Sequence, residues 1–210
     1  MDSSRRTAGL GLLVYGLGTA LAFMTIEAPG GDYDDAVVTA YVAHSHLVTA
    51  FVVAYVGAFA ALGLLPFAAR MRRELPWGGD VFWGLAVAGT AAGVIGWFLL
   101  GGIAVVAAEG GSALTALPHP VIYALGELGI LVAGCASAFL VGSAALLLAA
   151  RAPLPKALRI VTAVAGVCGL VAALYFPLFL FWIWAIGFGL WVAATGARLG
   201  RPVEAQHQPV

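Results

Sequence analysis

The pattern of charged and apolar positions divides the chain into long uncharged runs separated by short polar stretches. The runs are Ala8 to Ile26, Leu47 to Ala69, Val81 to Ala107, Val121 to Ala150, and Ile160 to Ala197. A helix needs about 20 apolar residues to cross a hydrocarbon core of roughly 30 Å, so each run predicts at least one membrane span. The last run would reach ~57 Å as one helix at about 1.5 Å per residue, far beyond one bilayer. It therefore predicts two spans with a break at Tyr175-Phe176-Pro177, because proline disfavours helix at the residue before it and lacks a backbone donor. The expected fold is an all-α polytopic membrane bundle of six transmembrane helices. The spans fall near 8–26, 44–69, 81–107, 120–150, 158–175 and 178–197, within a transmembrane domain over 1–202, and 203–210 form a polar cytoplasmic tail.

Charge adds an orientation, since Lys and Arg accumulate in cytoplasmic loops. With the N-terminus inside, all ten basic residues fall on the cytoplasmic side: Arg5, Arg6, Arg70, Arg72, Arg73, Arg151, Lys156, Arg159, Arg198 and Arg201. Both termini are then cytoplasmic. The exported loops carry only acids, Glu27, Asp32, Asp34 and Asp35 after the first span and Glu109 after the third. The expected location is the inner, cytoplasmic membrane, as a multi-pass protein. Trp77 and Trp83 flank the first cytoplasmic loop, while Tyr175, Trp182 and Trp184 sit near the outer turn, at the headgroup level or deeper in the bundle. Arg5-Arg6, an apolar core and Ala20-Leu21-Ala22 imitate a cleaved export signal. The apolar stretch exceeds the roughly 7–15 residues of such a core, which favours a retained span.

Composition closes off whole classes of function. Of the 210 residues 62% are hydrophobic and 10% charged, where soluble domains average roughly 25% charged. Nucleic-acid binding, a disordered tail and a secreted disulfide scaffold are excluded. Cys135 and Cys168 lie inside spans at no metal or redox spacing and read as small core residues. Helices in lipid associate through small residues four apart. Such stripes occur at Gly84, Ala88, Ala92 and Gly96, at Gly134, Ala138 and Gly142, and at Ala165, Gly169 and Ala173. They can serve contacts within the chain, a homo-oligomer or another membrane subunit. Two hairpins also share a plan suggestive of duplication: His44 and His119 at the start, Leu75-Pro76 and Leu154-Pro155 in the basic loops, and Ala-Val-Ala-Gly at Ala86 to Gly89 and Ala163 to Gly166.

One acid lies well inside a span. Glu127 sits about two turns below the outer end of the fourth, at a depth where a charge costs on the order of 2.5–3.5 kcal/mol on insertion scales and needs a cavity or a partner. His119, Tyr123 and Glu127 share one helical stripe. Tyr41, His44 and Tyr55 form a second, and if the two faces meet they line an outward pocket able to bind protons, a divalent metal or a polar ligand. The candidate ligand- or proton-binding residues are thus Glu127, Tyr123, His119, His44 and Tyr41. The competing reading makes Glu127 structural glue and leaves His44, His46 and His119 solvated at the interface.

No metal site is expected. His44 and His46 point to different helix faces, and Asp32-Tyr33-Asp34-Asp35 lacks the turn glycine and terminal Glu of a calcium loop. Nucleophile-elbow, zinc-protease, P-loop and dinucleotide motifs are absent, so no catalytic residue is assigned and any cofactor is left open. Three functions stay in contention: a non-enzymatic binder of a small ligand, lipid or membrane partner, a proton-coupled transporter titrating Glu127, and an intramembrane enzyme using Glu127 as acid on a lipid-like substrate.

Ala40-Tyr41-Val42-Ala43-His44, the run Pro66-Phe67-Ala68-Ala69-Arg70-Met71-Arg72-Arg73-Glu74-Leu75, and Leu154-Pro155-Lys156-Ala157-Leu158-Arg159 before an Ala/Gly-rich helix form a recognisable set. With them the chain resembles an uncharacterised bacterial six-span integral membrane family, a domain of unknown function. The resemblance implies an inner-membrane bundle and brings no activity or site residue.

Overall fold

The computed structural model describes residues 3–75, 77–109 and 118–196, with the side chains at 44, 45, 104, 105 and 107–109 left aside. The His44 side chain, the Glu109 carboxylate, Pro76, Arg198, Arg201 and the tail 203–210 lie outside the described residues.

Every regular element among the described residues is helical. In order these are α1 (Ser3–Thr25), α2 (Asp35–Tyr41), α3 (His44–Leu62), α4 (Leu64–Glu74), α5 (Gly79–Glu109), α6 (His119–Ile130), a π-helical segment (Leu131–Ala136), α7 (Ser137–Arg151), α8 (Lys156–Leu170), a 3-10 turn (Ala172–Leu174) and α9 (Phe176–Thr195). Five stretches are long and apolar enough to cross a membrane: Ser3–Thr25, His46–Glu74, Gly79–Ile103, His119–Arg151 and Phe176–Thr195. Their outward faces carry large apolar side chains, Val48 at 73% exposure and Phe59 at 67% among them. Apolar patches that wide mark a surface that meets lipid. The chain is a polytopic membrane helix bundle in contact with the bilayer.

The long final run breaks at the expected place. α8 ends at Leu170, Tyr175 turns the chain with φ +59°, and α9 restarts with Pro177 in its first turn, where a missing N–H costs nothing. α9 folds back on α8, and Trp184 Nε1 donates to Thr162 Oγ1 at 3.1 Å. Trp182 and Trp184 are both buried, so they pack the bundle instead of forming an interfacial belt. Trp182 meets Phe23 edge to face, and Trp184 lies between Phe181 and Phe188.

Backbone contact holds the bundle together. Ala138 and Gly142 in α7 face Gly166 and Gly169 in α8 so closely that a Cβ on Gly169 would lie 2.6 Å from Ala138 O. Gly96 of α5 backs onto the main chain of Ala133 in the π segment. Gly84 departs from the expected stripe and faces open space, while Gly134 meets only the side chains of Leu178 and Phe23. A seam the stripes did not include joins α1 to α9, where Gly9 abuts the Ala193 backbone and a Cβ on Gly189 would lie 2.6 Å from Leu13 N.

The basic end is tied by charge. Glu74 accepts from Arg70 Nε at 2.6 Å and Arg5 Nε at 3.2 Å, while Arg72 Nε reaches Asp80 at 2.7 Å. These bonds join α1, α4 and α5 at the end opposite the acidic loop. The acidic-loop end carries the candidate site.

Candidate functional site

The loop between α1 and α2 folds over the end of the bundle and lands on α6. Ile26 ends the apolar run, Glu27 takes a positive φ of 50°, and Pro29-Gly30-Gly31 follow, with Gly31 at φ +79°. Asp34 caps α2 by accepting from Ala36 N at 2.8 Å. An Asp cap of this kind sets the direction in which a short helix leaves its loop.

The stripe on α6 meets this loop residue by residue. His119 Nδ1 lies 2.6 Å from Asp35 Oδ1. The Tyr123 hydroxyl donates to Gly31 O, and the Tyr33 ring stands edge-on against Tyr123 at 5.4 Å. Glu127 Oε2 accepts from Gly31 N at 3.0 Å, and Oε1 accepts from the Tyr175 hydroxyl at 2.6 Å. One carboxylate thus joins three parts of the chain: the loop between α1 and α2, α6 and the turn before α9.

The fit depends on missing side chains. A Cβ on Gly30 would lie 2.6 Å from Glu127 Oε2, and one on Gly126 would lie 2.6 Å from Pro29 Cγ. Tyr175 is the third fixed part. A non-glycine residue at φ +59° costs on the order of 1–3 kcal/mol, and such strain collects where surrounding structure over-determines a residue. Its N–H donates to Ala172 O at 2.9 Å and its carbonyl accepts from Leu178 N at 2.9 Å, which aims the phenol at Glu127. The π segment starts four residues after Glu127, and π bulges inside α-helices recur at functional sites.

The loop acid Asp35 has a displaced titration. Hydrogen bonding to His119 first, and to Tyr33 second, holds its carboxyl below the ordinary value of 3.8. A depressed carboxyl stabilises the fold above its unfolded pKa and loses that contribution as pH falls through the folded value. The contribution should therefore fade from near pH 4 downward and be small, because the pair is solvent-exposed. In Asp35→Asn the melting temperature should fall less between pH 5 and pH 3 than in the parent. Equal slopes would remove the pair from the account.

The structure gathers His119, Tyr123 and Glu127 but does not add Tyr41 to them. A turn at Val42–Ala43 separates α2 from α3, so Tyr41 and Tyr55 no longer share a face. The buried Tyr41 hydroxyl donates to Leu100 O of α5 at 2.8 Å, and Tyr55 joins a lipid-side ladder with Phe51 and Phe98. Gly31 carries no signal of its own in the sequence analysis, and Asp35, Tyr175 and His46 enter it only as a loop acid, a residue of the chain break and an interfacial histidine. The punctuation of Pro29-Gly30-Gly31 and the position of Tyr175 before Phe-Pro were the available signals for two of them.

Beside the latched loop lies a cavity of about 370 Å³ lined by Glu27, Ala28, Val37, Ala40, Tyr41 and His46. The His46 ring packs against Tyr41 at 5.5 Å, and its Nε2 is shielded from solvent with no hydrogen-bond partner. A buried polar atom left unpaired is costly and requires an explanation. Among the described residues no group of three or more His, Cys, Asp or Glu could hold a metal ion.

No family model matches the chain, and neither a curated protein nor a solved structure does. The likeness to a six-span family therefore yields no family assignment, and the chain is established as a helical integral membrane protein with five membrane-span candidates.

Proposed function

We propose that this is a non-enzymatic, six-span protein with both termini in the cytoplasm, which binds a small organic cation in the exterior cavity between Glu27 and His46. α8 supplies the sixth crossing in this reading. Its 15 residues and the three-residue 3-10 turn add up to roughly 28 Å, close to a hydrocarbon core of about 30 Å. The orientation follows from the separation of charge. Arg5, Arg70, Arg72, Arg151, Lys156 and Arg159 belong to one end, and Glu27, Asp32, Asp34 and Asp35 to the other.

The observation that carries the ligand reading is the buried, unpaired Nε2 of His46 in a cavity whose rim holds the Glu27 carboxylate. An exterior face lined by acids concentrates cations, and aromatic rings such as that of Tyr41 attract them at close range. Glu127 then acts as the latch. Both of its oxygens are engaged in holding the loop that forms the cavity wall, which favours tethering over proton coupling or acid catalysis.

Thermal unfolding of the detergent-purified chain tests this. Ethanolamine, whose ammonium can donate to the imidazole nitrogen, should raise the melting temperature, and ethylene glycol, lacking the charge, should not. Binding at 100 times Kd stabilises by about 2.7 kcal/mol, which is readily measured. Glu27→Gln and His46→Leu should each abolish the shift. Equal responses to charged and neutral compounds, or a shift that survives both substitutions, would refute the assignment.

A further inference from the structure

We propose that the groove between α8 and α9 binds an anionic phospholipid, with one acyl chain along the groove and the phosphate at Lys156 and Arg159. The groove measures about 400 Å³, and its walls include Val161, Val164, Leu180 and Ile183. Its floor has no unmet polar demand, because Trp184 Nε1 is already paired with Thr162 Oγ1. The occupant over this length must be apolar.

Gly187 points the same way. It lines the groove in the middle of α9, yet a Cβ there would meet nothing within 4 Å. Gly189, two residues later, has its reason within the protein, since α1 approaches it closely. A mid-helix glycine costs about 1 kcal/mol relative to alanine, and no packing among the described residues repays that cost at Gly187. Space left open on a lipid-facing helix is filled by lipid.

Charge selects which lipid. Lys156 lies one turn before Ile160, a wall residue, on the same helical face, and Arg159 adjoins Leu158 and Ile160 in sequence. Both side chains are exposed. Lys156 has no ion-pair partner among the described residues, and Arg159 reaches only Leu154 O at 3.5 Å. A molecule that is apolar along a helix and anionic at one end fits this arrangement. A second copy of the chain fits less well: a two-fold contact presents the same patch from both sides, which would bring two sets of Lys156 and Arg159 together in one leaflet.

Native mass spectrometry of the full chain in detergent, with phosphatidylglycerol or phosphatidylcholine of identical acyl chains, tests the proposal. Phosphatidylglycerol should be retained more strongly. A basic residue near an anionic headgroup contributes about 1 kcal/mol, so removing one should weaken retention roughly fivefold and the double change Lys156→Gln, Arg159→Gln roughly 25-fold. A Cβ at Gly187 meets no atom of the described residues within 4 Å, so Gly187→Leu should project into the groove, leave the chain folded and lose the lipid with both charges in place. Three results would each overturn the site: equal retention of the two lipids, unchanged retention in Gly187→Leu, or a dimer in the parent that Gly187→Leu converts to monomer. The last would assign the groove to a second copy.

Discussion

Replacing Glu127 with Ala is expected to destabilise the bundle by about 1–3 kcal/mol and to release the loop between α1 and α2. The substitution leaves the Gly31 N–H and the Tyr175 hydroxyl without their acceptor, and a buried donor that loses its partner costs about 1–3 kcal/mol. Water can reach the exposed Gly31 side, which keeps the sum below the upper limit of two such losses. Glu127→Gln retains one carbonyl acceptor and should cost about half as much. Thermal melting in detergent supplies the ranking of parent over Gln over Ala, and hydrogen exchange at Gly31 should rise in the same order. A proton coupler would behave differently, since Gln would abolish its activity at unchanged stability.

The second large effect is expected at Gly96. A Cβ there collides with the backbone nitrogen and Cα of Ala133, in the π segment immediately below Glu127. Main-chain atoms cannot rotate away as a flexible side chain could. Overpacking ordinarily costs about 1–3 kcal/mol, and a collision with backbone lies at or beyond the top of that range. Gly96→Leu should therefore yield little folded protein. Gly84→Leu provides the control on the same helix, because a Cβ at Gly84 meets nothing within 4 Å. If both variants express and melt alike, the helices do not pack along this line.

How much of this was legible beforehand depends on the kind of signal. Uninterrupted apolar runs are a direct consequence of the bilayer, so the long helices and the break before Pro177 could be read from residue types alone. The alignment of His119, Tyr123 and Glu127 also follows from helical geometry within one element. The partners of that stripe do not. Gly31 is 96 residues from Glu127, and its contribution is a backbone N–H that every residue except proline possesses. Tyr41 stands apart from that stripe for a related reason: helical spacing does not carry through Val42 and Ala43, where the chain turns, and α3 starts afresh at His44. The seam between Gly9 and Gly189 joins the two ends of the described chain, and small-residue spacing within either helix names no partner. In lipid the helices are apolar on nearly every side, so periodicity says little about which face meets which neighbour.

The cation reading requires the Glu27–Asp35 loop to lie on the exterior, with the basic loops opposite. Labelling of intact cells with a membrane-impermeant thiol reagent tests this most directly, using single cysteines introduced at Asp34 and at Arg159 in a chain lacking Cys135 and Cys168. Asp34→Cys should react in intact cells and Arg159→Cys only after permeabilisation. Reaction of both positions before permeabilisation, or of Arg159→Cys alone, would contradict that placement.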